Sequence, residues 1–190
     1  LALGGVVGLA SQQFRINAIA AWEEGSDYRI PGGRVADTSY QRMTYGLSGA
    51  LRTNGNTLSL DLRRQETGSS GNPPYAMDID YFDTDFARIA FDGAVGGHKL
   101  DLVLGFTDVR HGMDNFSRRP PPPTTGQYRY SYAEAQTLSG SAKLGLGPLT
   151  LGIDAMGIDR LVNITHPTNP AFSIGSLERV AQSRWGGFAE

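Results

Sequence analysis

The chain has 190 residues, of which 39% are hydrophobic and 25 are glycine, so it carries little apolar mass for a large packed core. Its formal net charge of −2 gives no bulk field that would recruit nucleic acid or anionic lipid. Cysteine is absent, which excludes a disulfide framework and a cysteine-based metal site within this sequence. No apolar run approaches the roughly 18 residues that a transmembrane helix requires.

The main feature of the sequence is an alternation of apolar and polar residues with a period of two. Six segments show it, and they begin at Phe14, Gln41, Leu58, Leu100, Leu138 and Leu149. Successive side chains of an extended strand point to opposite faces, so each segment predicts a strand with one apolar face. Helical spacing explains none of them, and with the intervening stretches we expect about nine strands.

The links between these strands alternate between two lengths. The short links carry Gly, Asn or Pro hairpin signals and lie at Thr53–Asn56, Ala94–Gly97 and Gly147–Pro148. The long links run roughly over Glu24–Asp37, Glu66–Asp83, Arg110–Tyr130 and Arg160–Ser183. Short turns at one rim and long loops at the other are the layout of outer-membrane barrels. We therefore predict an all-β fold, an antiparallel transmembrane β-barrel with short periplasmic turns and long extracellular loops.

A soluble β-sandwich or a β-helix is the alternative, because a sandwich also buries one face of each sheet. Several strands here reach ten residues with their polar flanks, which suits a tilted bilayer crossing better than the usual five or six. The alternation is already under way at Leu1, and Trp185–Glu190 resembles the opening of a strand. We therefore expect residues 1–190 to be part of a larger barrel in the outer membrane of a Gram-negative bacterium.

The segment Asp108–Asn115 contains the most informative polar residues. His111 and Met113 are two positions apart, so in an extended backbone their side chains point the same way. An imidazole and a thioether suit copper, especially Cu(I), better than Mg²⁺ or Ca²⁺. Two ligands alone make a weak site. The alternative interpretation is a histidine at the barrel rim beside a methionine that faces lipid or packs against a loop.

Other candidate residues are less specific. Met77, in the acidic stretch Tyr75–Asp85, comes near Met113 if the loops fold together, and the carboxylates of this stretch either attract a cation or solvate a loop. Arg118–Thr125 contains four consecutive prolines and predicts a stiff polyproline element that shapes an extracellular loop. The sequence shows no Ser/His/Asp set, no Gly-rich phosphate loop and no HExxH motif, so we expect no enzymatic activity.

Three stretches resemble the TonB-dependent receptors, and within them the outer-membrane copper receptors. They are Asp27-Tyr28 with Pro31-Gly32-Gly33, then Met77–Asp85, and above all His111–Asn115. The resemblance implies that a His-x-Met pair on the barrel binds copper together with a Cys-x-x-x-Met pair from an N-terminal plug domain. His111 and Met113 match the first pair, and the second pair has no counterpart here. We expect the plug and the C-terminal strands to lie outside this chain.

The resemblance implies a receptor that carries copper into the periplasm, with copper as the transported ligand. The implied partners are the TonB complex, which acts through the plug, and outer-membrane lipid. The first alternative is a TonB-dependent receptor for another cargo, such as a siderophore or another metal chelate. Two further alternatives are a structural or adhesive barrel that transports nothing, and an outer-membrane enzyme. No nucleic-acid partner is expected.

Overall fold

The computed structural model describes all 190 residues and contains one large antiparallel sheet and one small hairpin. The sheet has nine strands, and each is hydrogen-bonded to the strand that follows it in the sheet. They are β1 (Ala2–Ala10), β2 (Phe14–Gly25), β5 (Tyr40–Thr53), β6 (Asn56–Thr67), β7 (Asp78–Val95), β8 (His98–Asp114), β9 (Tyr130–Leu146), β10 (Leu149–His166) and β11 (Asn169–Ala189). The hairpin consists of β3 (Tyr28–Ile30) and β4 (Gly33–Val35), and a single 3-10 turn covers Thr125–Gln127. The chain forms no helix with the length and apolar character needed to cross a membrane.

Four tight turns lie together at one end of the strands, and we call this end of the sheet the turn edge. They join β1 to β2, β5 to β6, β7 to β8 and β9 to β10. Asn54 and Gly55 have φ of 49° and 81°, and Gly96 and Gly97 have φ of 61° and 84°. Two consecutive positive φ values match the right-handed twist of antiparallel strands, which explains the Asn-Gly and Gly-Gly pairs. The predicted short links are therefore confirmed.

The opposite edge, the loop edge, holds four links, and all but the first are shorter than predicted. Three of them cover residues 26–39, 68–77 and 115–129. The predicted long link over Arg160–Ser183 is wrong, because β10 continues to His166 and β11 begins at Asn169. Each face of these strand ends mixes polar and apolar residues, so the alternation is too weak to reveal a strand. Pairing still satisfies their backbone N–H and C=O groups, so the ladder continues, with irregularities near Val162 and His166.

The register gives the large sheet two chemically different faces. On one face, the belt face, apolar residues stand opposite each other: Leu104 pairs with Ile89 and Gly140, and Phe106 pairs with Ala87 and Leu138. The other face, the inner face, carries the alternate residues. On β8 these are Lys99, Asp101, Val103, Gly105, Thr107, Val109, His111 and Met113.

The large sheet has no hydrophobic core. No apolar residue is buried, and Leu104, Leu138 and Ile153 on the belt face are 57%, 63% and 66% exposed. A soluble sandwich would cover such side chains with a second sheet, and the nine strands form a single layer. The sandwich alternative is therefore wrong for this chain.

Toward the loop edge, the belt face changes from apolar to charged at one row of paired residues. Leu62 is followed on that face by Arg64, and Phe106 by Asp108. We call the charged residues beyond this row the charged band: Arg64, Glu66, Asp83, Asp85, Asp108, Arg110 and Glu134. Its two arginines pair with four of its five carboxylates, with N–O distances of 2.6 Å for Arg64–Glu66, 2.9 Å for Arg64–Asp85 and 2.9 Å for Arg110–Asp108.

Candidate metal centre

The strand β8 carries both predicted metal ligands close to the loop edge. His111 stands between Phe82 of β7 and Ala133 of β9, and Met113 stands between Ile79 and Ser131. The pairing of β8 with β9 runs from Lys99 to Asp114 without a register shift. Alternation is therefore unbroken between the two residues, and both lie on the inner face, away from the apolar belt. The prediction that they share a face is confirmed, and the interpretation in which Met113 faces lipid is not supported.

The surroundings of His111 are largely apolar. The Phe82 ring lies with its centroid 5.2 Å from that of the imidazole, at an interplanar angle of 52°. Val109 precedes His111 on the same face, and both His111 and Met113 are half-buried. Of the three histidines, only His166 uses its ring nitrogens in hydrogen bonds. The His111 ring nitrogens therefore have no hydrogen-bond partner in the protein, and the lone pair of the imidazole is free to bind a metal ion.

Gly112 lies between the two candidate ligands and faces the other way. A Cβ atom at this position would meet the Tyr130 hydroxyl and the Tyr81 ring at 2.6 Å each. Both tyrosines therefore pack directly on the Gly112 backbone from the belt face. This contact limits how far β8 can move at the point where it presents His111 and Met113.

Two buried carboxylates hold the ends of β7 and β8 beside Met113. Asp78 and Asp114 are paired across the strands and are 2% and 4% exposed. Asp78 accepts hydrogen bonds from the Arg119 guanidinium at 2.8 and 2.7 Å and from the Asn72 N–H at 2.8 Å. The Arg119 hydrogen bonds in particular hold the pKa of Asp78 below its usual range. Asp114 accepts from the Phe116 and Ser117 N–H groups and from the Ser117 hydroxyl, so it begins the next loop.

Arg118 and Arg119, just before the four prolines, tie three loops together. Arg119 donates to the Tyr75 carbonyl at 2.7 Å. Arg118 donates to the Ser69 carbonyl at 3.1 Å and to the Ser39 carbonyl at 3.0 Å, and also to the Ser39 hydroxyl. The links 26–39, 68–77 and 115–129 are therefore one hydrogen-bonded body. The sequence predicted that this segment shapes a loop, but it held no sign of the partners of the two arginines.

The structure brings Phe82 of the stretch Tyr75–Asp85 to His111, but it does not bring the carboxylates of that stretch there. Asp83 and Asp85 lie on the belt face and pair with Arg64 at 3.4 and 2.9 Å. Met77 directly precedes Asp78, the first residue of β7, which pairs with Asp114. No group of three or more His, Asp or Glu side chains could hold a metal ion. A metal site at His111 and Met113 would therefore need further ligands.

Comparison with known proteins shows the fold. No protein-family model matches the sequence, and no curated protein matches it. Among solved structures, the chain resembles the copper transporter OprC, with a TM-score of 0.76, 14% sequence identity and coverage of 99% of this chain. The chain spans 33% of the length of that transporter. The nine-stranded sheet therefore has the fold of part of an antiparallel transmembrane β-barrel, which confirms the predicted fold class.

Proposed function

We propose that this chain is part of a TonB-dependent receptor that takes up copper across the outer membrane of a Gram-negative bacterium. The observation that carries the proposal is the position of His111 and Met113 together on the inner face. In a closed barrel the inner face lines the lumen, which is the route of a transported ion. The belt face, with its exposed leucines, would contact lipid.

The donor set supports copper among the possible ions. A thioether is a soft ligand and an imidazole a borderline one, so the pair favours Cu(I) over hard ions that prefer oxygen. The nearest inner-face neighbours of His111, Phe82, Val109 and Ala133, supply no competing carboxylate. The similarity in fold to a copper transporter adds to this argument.

The rest of the transport mechanism follows from the family resemblance. The missing ligands would come from a Cys-x-x-x-Met pair of a plug domain, since this chain contains no cysteine. TonB, acting on the plug, would break those contacts and release the ion inward. His111 and Met113 would remain fixed on the barrel wall, because Gly112 packs against the two tyrosines.

Copper binding by the full-length receptor tests the proposal. We expect the double variant His111→Ala with Met113→Ala to bind Cu(I) at least about tenfold more weakly than the wild type, a loss of about 1.4 kcal/mol. The matched control is His98→Ala with Met43→Ala, which removes the same two residue types elsewhere. His98 lies at the turn edge and Met43 lies on the belt face. The affinity of this control should equal that of the wild type.

Equal copper affinity in the wild type and the His111/Met113 variant would remove the copper assignment. In that case a receptor for a siderophore or another metal chelate becomes the better proposal, and uptake of iron chelates by the same strains would be measured next. A wild-type protein without any TonB-dependent uptake would favour a barrel that transports nothing.

A further inference from the structure

The hairpin β3–β4 presents two arginines directly opposite each other. Arg29 pairs with Arg34 in the register, and both are exposed. Like charges at opposed positions of an antiparallel pair destabilise it. Neither guanidinium lies within 4.0 Å of a carboxylate, although most other arginines toward the loop edge are ion-paired. Neither arginine therefore has an ion-pair partner, although the Asp27 carboxylate attracts Arg34 from beyond ion-pair distance.

The hairpin keeps its shape for reasons unrelated to the arginines. Gly32 has a φ of +91° after Pro31, which fits the two central positions of a type II turn. At the base, the Thr38 hydroxyl accepts from the Tyr28 N–H at 2.7 Å and donates to the Val35 carbonyl at 2.9 Å. These contacts hold both strands of the hairpin in place despite the repulsion between Arg29 and Arg34.

The hairpin is also fixed to the rest of the loop edge. Asp27 accepts hydrogen bonds from the Thr38 and Ser39 N–H groups at 2.9 and 3.0 Å, and these bonds hold the pKa of Asp27 below its usual range. Asp27 is thus used to hold the backbone and forms no ion pair with Arg34. Ser39 is in turn held by Arg118. The arginine pair therefore stands on an anchored support.

Alternation leaves the two guanidiniums alone on their face of the hairpin. Tyr28, Ile30 and Val35 belong to the other face. Two arginines at opposed positions of an antiparallel pair can each donate paired hydrogen bonds to the oxygens of one anion. Such an anion would remove the repulsion and gain charge-assisted hydrogen bonds at the same time.

We propose that Arg29 and Arg34 form a binding site for a phosphate group at the loop edge of the barrel. The phosphate belongs either to a soluble ligand or to a lipid headgroup, since both offer the same oxygens. The site is separate from His111 and Met113 and does not depend on copper transport.

Calorimetric titration of the full-length protein in uncharged detergent tests this site. Inorganic pyrophosphate is one probe, and short-chain phosphatidylglycerol, compared with short-chain phosphatidylcholine, is the other. We expect the wild type to bind one of the two anionic probes, more weakly as salt is added. Arg29→Gln with Arg34→Gln should reduce that affinity at least about tenfold, as the loss of two charge-assisted contacts implies. Arg15→Gln with Arg63→Gln removes two exposed arginines on other strands and should leave it unchanged.

Arg29→Glu is a second variant, and it is expected to increase the stability of the hairpin as well as to abolish phosphate binding. The new carboxylate stands opposite Arg34, so the hairpin should be more stable while phosphate binding is lost. Binding of pyrophosphate alone assigns the site to a soluble ligand, and binding of phosphatidylglycerol alone assigns it to a headgroup. The proposal is overturned if the wild type binds neither probe, or if the Arg29/Arg34 variant binds as the wild type does.

Discussion

Gly112 offers a sharp test of how the barrel wall is held at the candidate site. Replacing it with alanine places a Cβ 2.6 Å from both the Tyr130 hydroxyl and the Tyr81 ring. Carbon atoms in good contact are about 3.5–4.0 Å apart, so each ring must move by roughly 1 Å or β8 must bow away. Overpacking of this kind typically costs about 1–3 kcal/mol.

A smaller opposing effect comes from the unfolded chain. Glycine loses more backbone freedom on folding than alanine, so the substitution returns about 0.4–1 kcal/mol. The net result for Gly112→Ala should be a destabilisation of about 1 kcal/mol. Gly157→Ala is the matched control, because Gly157 also lies in a long strand and a Cβ there meets nothing within 4 Å. That control should be neutral or slightly more stable.

The measurement is the denaturant midpoint of the full-length protein folded in detergent micelles, compared among the wild type and the two variants. Adding Tyr130→Phe to Gly112→Ala removes one of the two short contacts and should restore part of the loss. Copper affinity is a second readout, because a bowed β8 would displace His111 and Met113. A Gly112→Ala protein as stable as Gly157→Ala would refute the packing argument.

The remaining predictions concern the loop tie and the two faces of the sheet. Arg119→Gln leaves the Asp78 carboxylate buried without its main partner, a change that costs about 3 kcal/mol, and hydrogen exchange of residues 68–77 should accelerate. Because the folded-state pKa of Asp78 is lowered, the tie is complete above about pH 4 and is lost as the pH falls through that lowered value. The exchange difference between variant and wild type should therefore shrink below about pH 4, and a difference unchanged at pH 2 would contradict this reasoning. On the belt face, Leu104→Arg should cost about 2–4 kcal/mol in folding into lipid bilayers, whereas Thr107→Arg on the inner face should fold as the wild type does; equal losses would mean that the faces are wrongly assigned.

Much of the strand pattern can be predicted from the sequence because lipid and lumen impose opposite chemistry on successive residues. Leu100, Leu102, Leu104 and Phe106 alternate with mostly polar or small residues, and the structure places all four on the belt face. The hairpin turns are equally visible, since Asn54-Gly55 and Gly96-Gly97 adopt positive φ. The same alternation predicts that His111 and Met113 share a face, as they do in the sheet.

Alternation fails as a signal where each face of a strand mixes polar and apolar residues. Beyond Asp159 the residues of β10 give no clear alternation, and a loop is predicted where the strand continues to His166. Backbone pairing with β11 decides the conformation there, and a hydrogen-bonded ladder leaves no mark in side-chain hydropathy. The sequence predicts that the acidic residues Asp83 and Asp85 attract a cation or solvate a loop, whereas the register places Asp85 in a strand across from Arg64.

Local sequence is sufficient to define the antiparallel strands, the tight turns and the side of the sheet on which the imidazole and thioether of β8 lie. These features depend on residues close together in the chain, so alternation and backbone preference encode them. Folding of the whole sheet is needed to bring Arg118 to Ser39 and Arg119 to Asp78, across 79 and 41 positions of sequence. It is also needed to close Tyr81 and Tyr130 on Gly112. Such contacts join residues that only the sheet register brings together. No local sequence pattern encodes which distant residue will contact a buried charge or the backbone of a glycine.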